Sequence, residues 1–466
     1  MKIKVQVVIE YEDETTETVV KEIGCLQRAA PSIETLGIRL DEGKAILANL
    51  QESVVAHQVA EHMKKHEYCG HCHQPHRRNG HQTITYRTLF GKLKVKGRRF
   101  YRCVCQEHSS QTFSPIAALF SERTAPEFSY IQTKWASLMS YGLTVDLLEE
   151  VLPLSTNVAA VFRQTQTVGQ RLEDELGAEQ SMFIEGPARK WAQLPPPQER
   201  LFVGIDGGFV HGRTKENRKA GWFEVIVGKS LLNKHPSKRF AFVQTYDEKP
   251  KRRLFETLQS HGMQMNQDIT FLSDGGDDVR ELQYYLNPHA EHILDWFHIT
   301  MKITVMRQIA KGMKDAAFVE KALAALDRIK WRLWHGHVQN GLDAIESLLL
   351  DCECEEEADP SRDKLHKALD EYDTYICNNR EFIPNYADRY RYDEIISTSF
   401  AESAINEVVS RRMVKKQQMR WTKKGAHLLL QVRIKTLNDE LRSKFEDWHP
   451  GLKNEVQNTA EMPLAV

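Results

Sequence analysis

Apolar and polar positions alternate along some stretches of this chain and recur every three to four residues along others, and the changes of period mark its segments. The opening "MKIKVQVVIEYEDETTETVV" alternates like a hairpin, and "EGKAILANLQESVVAHQVAEHMKKH" then follows the period of an amphipathic helix. A second alternating stretch, "TITYRTLFGKLKVKGRRFYRCVC", turns about Gly91 and predicts a β-hairpin. Residues 126–177 return to the helical period with breaks at "SYGLT" and "LPLST", where Thr144 and Ser155 are candidate N-caps. Two helices joined by a short turn after a longer one fit a helix-turn-helix with the helix after Ser155 as its reader, and they fit a plain helical bundle nearly as well. The Pro-rich "EGPARKWAQLPPPQER" at 185–200 reads as an extended linker.

From residue 201 the period changes again. "RLFVGIDGGFV", "GWFEVIVGKSLL" and "RFAFVQTYDE" predict three strands, "KPKRRLFETLQSHGM" a helix, "DITFLSD" a strand, "DVRELQYYL" a helix and "AEHILDW" a fifth strand. Residues 299 to about 390 are helical, and "TSFAESAINEVVSRRMVKKQQ" begins a last helix capped by Thr398 or Ser399. Three strands, then helix, strand, helix, strand is the order of an RNase H-like mixed sheet, so the expected class is α/β. An all-helical insertion interrupts it, and a zinc ribbon and a helix-turn-helix-like module precede it. The expected domains are a hairpin and helix at 1–65, a DNA-binding zinc ribbon at 66–115 and a DNA-binding helical module at 116–178. A linker at 179–200 leads to the first part of a catalytic core at 201–304. The helical insertion at 305–392, the final core helix with its basic segment at 393–440 and a tail at 441–466 complete the chain.

Length adds that 466 residues are enough for roughly three domains, each with its own core. No apolar run approaches the roughly 18 residues of a membrane span, and the N-terminus lacks the apolar core and cleavage site of a signal peptide. A soluble cytoplasmic protein with no membrane partner is expected. The net charge of −1 hides a strong asymmetry. Eleven Lys/Arg and one acid, Glu67, lie between Lys64 and Arg102, and nine Lys/Arg with no acid lie between Arg411 and Lys435, while acids collect in "DCECEEEADP" at 351–360. Two basic segments of this kind suit phosphate contacts, although a single charge run is more often a solvated face.

The cysteines sharpen the middle of the chain. Cys69/Cys72 and Cys103/Cys105 are tight pairs at either end of the predicted hairpin, the layout of a zinc ribbon. The second pair is spaced C-x-C, and Cys105-x-x-His108 gives His108 an equal geometric claim to the fourth position on a structural Zn²⁺.

The carboxylates carry the chemistry. Asp206 is read as ending the first strand and Asp274 as ending the fourth, each followed by two glycines that leave its carboxylate uncrowded. If those strands are neighbours, the two acids share one site and repel unless a divalent cation joins them. Glu402 on the last helix is the candidate third acid, with Asn406 four residues on along the same face and Glu407 as the rival on another. Asp295 and His298 in "ILDWFH" form an acid and imidazole pair at the end of the fifth strand, suited to a role beside the site or to bracing the strand end. Arg411, Arg412, Lys415 and Lys416 follow as two stripes at helical spacing, with Arg420, Lys423 and Lys424 beyond. Trp421, Trp331 and Trp334 are candidate stacking partners for an unpaired base, each more often a core residue.

The motifs "VGIDGG", "FLSDGGDD", "ILDWFH" and "SFAESAIN…RRMVKKQQMRW" together resemble the DDE transposases of insertion sequences, closest to the ISKra-type family and similar to Mutator-like and ISL-type enzymes, over roughly residues 65–435. The resemblance implies that Asp206, Asp274 and Glu402 hold two Mg²⁺ or Mn²⁺ ions, with Asp295 and His298 beside the scissile DNA. It also implies double-stranded DNA as partner, both transposon ends and target, and a homodimer or higher assembly at a prokaryotic nucleoid. An RNase H-like nuclease or junction resolvase would share the acids without requiring the DNA-binding modules, and a transposase-derived regulator would tolerate loss of the acids.

Overall fold

The computed structural model describes every residue except 12–17, 30–31, 106–110, 181–193, 195–199, 214–220, 234, 277–279, 283–289, 354–358, 415–418 and 454–466. The described residues form helices and three sheets, and the chain divides into two compact units, Met1–Val168 with Asp439–Val466, and Gly169–Asn438. No helix among the described residues is long and apolar enough to cross a membrane.

In the first unit β1 (Lys2–Ile9) pairs antiparallel with β2 (Val19–Gln27), followed by the long helix α1 (Leu40–Lys65). The ribbon β3 (Arg78–Thr88) and β4 (Gly91–Tyr101) then pairs antiparallel, with the short β5 (Thr112–Phe113) on its edge. Gly91, at φ 138°, closes the turn with a backbone that side-chain-bearing residues rarely adopt. One face of the ribbon buries Ile84 and Val95 against Val55 and Val59 of α1 and Ile116 of α2 (Pro115–Leu119). At Gly97 a Cβ would lie 2.5 Å from Ile116, so only glycine permits that approach. Helices α3 (Pro126–Leu138), α4 (Tyr141–Val151) and α5 (Val158–Glu175) follow, the last crossing the division between the units. The expected caps move: Ser140, not Thr144, accepts from Leu143 N–H to start α4, and Asn157, not Ser155, accepts from Ala160 N–H at the head of α5. Thr144 is buried one turn inside α4, its hydroxyl donating to Ser140 O, so the helix expected to begin at Val145 begins at Tyr141.

The second unit is built on a five-stranded sheet of β6 (Leu201–His211), β7 (Trp222–Leu231), β8 (Lys238–Val243), β9 (Ile269–Ser273) and β10 (Glu291–Leu294). Its spatial order is β10-β9-β6-β7-β8. The first three strands pair antiparallel in sequence, and β9 and β10 run parallel to β6. Alternation sorts the side chains: Leu201, Val203 and Ile205 pack with Phe240 and with Leu254 and Leu258 of α6 (Pro250–Ser260) on one face. On the other face Leu272 and Leu294 join a helical core made by α7 (Trp296–Lys311), α8 (Ala316–Trp334), α9 (Val338–Glu353), α10 (Pro360–Asn378) and α11 (Tyr386–Arg391). Helix α12 (Ser399–Ile405) crosses β6, and the space above Gly204 holds the side chains of Phe400 and Ala401. Its continuation, Asn406–Val414, is a π-helix, and α13 (Lys423–Leu437) ends the unit. Helix α14 (Leu441–Trp448) returns to the first unit. The helix expected after Asp274 falls largely on residues outside the described set.

Candidate functional site

Strand register brings the first two acids together. Gly204 pairs with Leu272 where β6 runs beside β9, so two residues further along the same parallel register Asp206 stands beside Asp274. Leu294 pairs with Ser273 one strand over, which sets Asp295 next in the row, its N–H donating to Ser273 O at 2.9 Å. Asp206 does not end its strand as the sequence suggested: β6 runs on to His211, paired with β7. It is instead the parallel neighbour that stops, and this opens the sheet edge beside it.

Each acid is held by the backbone around it. Asp206 is 9% exposed and its Oδ1 accepts from Gly207 N–H at 2.7 Å. Asp274 is exposed; its Oδ1 accepts from Gly276 N–H at 3.1 Å, and its carbonyl accepts from the Tyr375 hydroxyl of α10 at 3.0 Å. Gly275 has φ 89°, and a Cβ there would lie 2.4 Å from Asn379 Oδ1, so the turn that presents Asp274 requires glycine. Asp295 is fully buried. It caps α7 by accepting from Phe297 N–H at 2.8 Å, and it accepts from both the N–H and the hydroxyl of Thr398. Thr398 is thus the residue before α12, but its hydroxyl serves Asp295 rather than the helix end.

His298 Nδ1 lies 3.0 Å from Asp295 Oδ2, a close ion-pair contact whose ring N–H is not well aimed at the carboxylate. Burial would lower the His298 pKa, but Asp295, Asp206 and Asp274 outweigh it and hold it above the usual imidazole value. For Asp206, burial is the largest influence and raises its pKa; Asp274 and Asp295 add to that, while His298 and the Gly207 N–H oppose it. Among the described residues no ion pair neutralises Asp206, Asp274 or Glu402.

Glu402 is exposed on α12, beside Ala401 and its contact with Gly204. The three acids do not close into one group with donor atoms mutually within 4.8 Å. The donor chemistry of Asp206 and Asp274 fits a hard divalent cation. Glu407, the rival, is engaged with Arg239 at 2.8 Å. Asn406 is exposed at the join of α12 and the π segment.

The basic stripes are corrected. Arg411 is exposed, but Arg412 is entirely buried with its guanidinium 5.3 Å from the Trp421 ring centre, and Trp421 is itself 3% exposed. Trp421 is also fixed by backbone hydrogen bonds to His211 and Arg213, so neither residue is presented to DNA. A π-helix advances by i→i+5 hydrogen bonds, which turns faces counted at 3.6 residues per turn away from where they were expected. Arg433 from α13 donates to the carbonyls of Glu407 and Val408 in this segment. Lys415 and Lys416 lie outside the described residues, whereas Arg420, Lys423 and Lys424 are exposed at the start of α13. Of the other tryptophans, Trp334 packs on Trp296 and Tyr386, and Trp331 is 59% exposed.

The four thiols do form one group. Cys69 and Cys105 Sγ are 3.6 Å apart, Cys72 and Cys103 Sγ are 3.3 Å apart, and all four lie within 4.8 Å of one another. Tetrahedral Zn²⁺ with bonds of about 2.3 Å requires sulfur separations of about 3.8 Å, so the cluster fits that ion. Backbone N–H groups of Cys72 and His71 aimed at Cys69 lower its pKa to about 6, and a thiol hydrogen bond to Cys103 pushes Cys105 up to about 12. His108, the alternative ligand, lies outside the described residues.

Sequence reasoning missed a second buried cluster, because its members are scattered and share no local period. Glu173, Asp247 and His427 place their donor atoms within 4.8 Å of one another. Arg253 fills the centre: Nε is 2.8 Å from Asp247 Oδ2, Nη2 is 3.0 Å from Glu173 Oε2, and Nη1 donates to Gln431 at 2.6 Å. His427 Nδ1 accepts from Val243 N–H at 3.4 Å, leaving Nε2 3.3 Å from Glu173 Oε1. Burial would raise the Glu173 pKa, but His427 and Arg253 lower it to about 2. With a guanidinium already inside, this group does not fit a metal ion.

No family model matches the chain, and no curated protein matches it. Among solved structures it is similar to the Drosophila P element transposase strand transfer complex, at 10% identity and a TM-score of 0.29, covering 68% of this chain and 93% of that one. It is also similar to NurA at 13% identity and a TM-score of 0.10, covering 55% and 74%. Likenesses of this size do not establish a shared fold, and the site's chemistry rests on this chain's own residues.

Proposed function

We propose that the chain is a DNA transposase of the DDE type, similar to the ISKra-type family, whose second unit is an RNase H-like catalytic core. The observation that carries the reading is the pair Asp206 and Asp274: two carboxylates brought beside each other by adjacent parallel strands, one within β6 and one just past the end of β9, with no ion pair to neutralise either among the described residues. The sheet supports the same reading, with three antiparallel strands followed by two parallel ones on the far side of the first.

Asp206 and Asp274 would hold Mg²⁺ or Mn²⁺, with Glu402 as the candidate third ligand. The ions, when present, activate the attacking oxygen and stabilise the leaving one. Asp206 reaches the site from a rigid strand, so its carboxylate needs little reorganisation. The Tyr375 hydroxyl and Gly275 fix the turn that presents Asp274. Asp295, held by Thr398, keeps His298 beside the acids, where its ring can donate to a phosphate oxygen. Arg411, Arg420, Lys423 and Lys424 supply exposed cations for the DNA backbone, and the four-cysteine cluster holds one structural Zn²⁺.

The test uses DNA flanking the chain's own gene, with Mg²⁺ or Mn²⁺. Nicked ends followed by joining of the 3′-hydroxyl to a second duplex are expected. Nicking without joining would identify a nuclease, and binding with neither would identify a regulator. Glu402→Gln should abolish nicking while Glu407→Gln, which only loses the Arg239 pair, should retain it. The reverse result would reassign the third acid.

A further inference from the structure

The ribbon β3–β4 has two unlike faces. The inner one is apolar and packed, as described. The outer one follows from the register: His81 pairs with Arg98, Thr83 with Lys96, Thr85 with Lys94 and Arg87 with Lys92, and in an antiparallel ladder directly opposed residues share a face. His81, Thr83, Arg87, Lys92, Lys94 and Lys96 are exposed there. Arg98 is matched by Glu67 at 2.9 Å, but among the described residues Arg87, Lys92, Lys94 and Lys96 have no ion-pair partner. Like charges directly opposite on a sheet are destabilising, so the Arg87 and Lys92 pair costs stability that a bound polyanion would offset. The loop end of the ribbon continues into a cleft of about 120 Å³ whose walls include Arg87, Lys92, Ser155, Thr156, Asn157 and Arg163, which brings a further exposed cation from α5 onto the same surface.

We propose that this outer face, together with Arg163, is a docking surface for the phosphate backbone of duplex DNA. The residue types select the partner. Lysines at alternate positions stand about 6.8 Å apart along the strand and carry charge on flexible stems. The hydroxyls of Thr83 and Thr85 between them can also bond phosphate. None of the exposed positions named is a Phe, Tyr or Trp, the platforms on which unpaired bases stack. A two-stranded ribbon fits the wide major groove of B-form DNA but not the narrow one of duplex RNA. The surface deepens the transposase reading by adding a contact apart from the acids, and it takes no part in the chemistry.

The experiment measures binding of the full chain to a random-sequence duplex, without divalent metal, across a salt series. Replacing Lys92, Lys94 and Lys96 together by Ala should flatten the slope of log affinity against log salt by about 2.7 units, as expected for three lost phosphate contacts. Replacing all three by Arg should restore it. Removing the same kind of charge at Lys364 and Lys367, exposed on α10, should leave the slope unchanged. The positions are exposed and loss of Lys92 relieves its repulsion from Arg87, so the zinc content should match the parent's and the melting temperature should be unchanged or raised, and the Arg variant reports on the surface even if the Ala variant folds poorly. A parental slope in the Ala variant would overturn the proposal, as would a loss seen on single-stranded DNA, duplex RNA or polyglutamate but not on duplex DNA. The Asp206→Asn protein should bind with the parental slope. Cleavage by that variant would sink the transposase reading and leave the ribbon surface standing.

Discussion

Two carboxylate clusters in the second unit use the same residue types to opposite ends. Glu173 and Asp247 enclose the guanidinium of Arg253, with His427 and Gln431 completing the hydrogen bonds, so their charge is matched where they are buried. Asp206 within β6, Asp274 just past β9 and Asp295 just past β10 form a row across three parallel strands, with the His298 imidazole 3.0 Å from Asp295, and the Asp206 pKa rises where that of Glu173 falls to about 2. A buried pair that is satisfied needs no ligand, whereas the repulsion in a row of acids is relieved by a bound cation. The difference separates a compensated cluster from the candidate site, although the first combines two acids with a histidine and the second three acids with a histidine.

The comparison breaks most sharply under isosteric neutralisation. Asp206→Asn or Asp274→Asn should lower DNA cleavage by about 10³-fold while leaving the melting temperature unchanged or raised. Asp247→Asn should lower the melting temperature and leave cleavage per folded molecule near the parental rate. Cleavage kinetics and thermal unfolding on the same samples check both arms. Next in size, Arg253→Met should cost about 3–5 kcal/mol in urea unfolding, because two buried carboxylates are stranded.

A smaller effect sharpens the role of the pair beside the acids. His298→Ala should reduce cleavage by about 10- to 100-fold, with Thr398→Val, which frees Asp295 on one side, following in the same direction. Unchanged rates in both would make Asp295 and His298 a brace for the end of β10. The smallest expected effect concerns acid. Glu173 titrates at about 2 in the folded chain against an ordinary value near 4.5, so its contribution is fully present above about 4.5 and is lost as pH falls towards 2. Glu173→Gln should therefore flatten the acid limb of the stability curve in that window, measured by urea unfolding at each pH.

Much of this was legible in the sequence because it is local. Alternation located the strands, and paired cysteines flanking an alternating stretch marked the thiol cluster, whereas the glycines after Asp206 do not mark a strand end, since β6 runs on to His211. What failed was arithmetic that assumed one helical period: Arg412, placed on a DNA-facing stripe at 3.6 residues per turn, lies in a π-helix from Asn406 to Val414 and is buried against Trp421. Arg253 and its partners were invisible for a different reason. Residues 173, 247, 253 and 427 meet only through the fold, and no spacing in the chain announces them. The supports of the site are equally long-range, with Tyr375 reaching Asp274 and Thr398 reaching Asp295 from about a hundred positions away.

The central claim is that the uncompensated acids take a divalent cation and the compensated ones do not. Titration of the full chain with Mn²⁺, followed by the loss of the free-ion electron paramagnetic resonance signal, tests it directly. The account predicts saturable Mn²⁺ binding that is lost in Asp206→Asn and Asp274→Asn and kept in Asp247→Asn. Binding that survives both of the first two substitutions, or that disappears with Asp247, would contradict it.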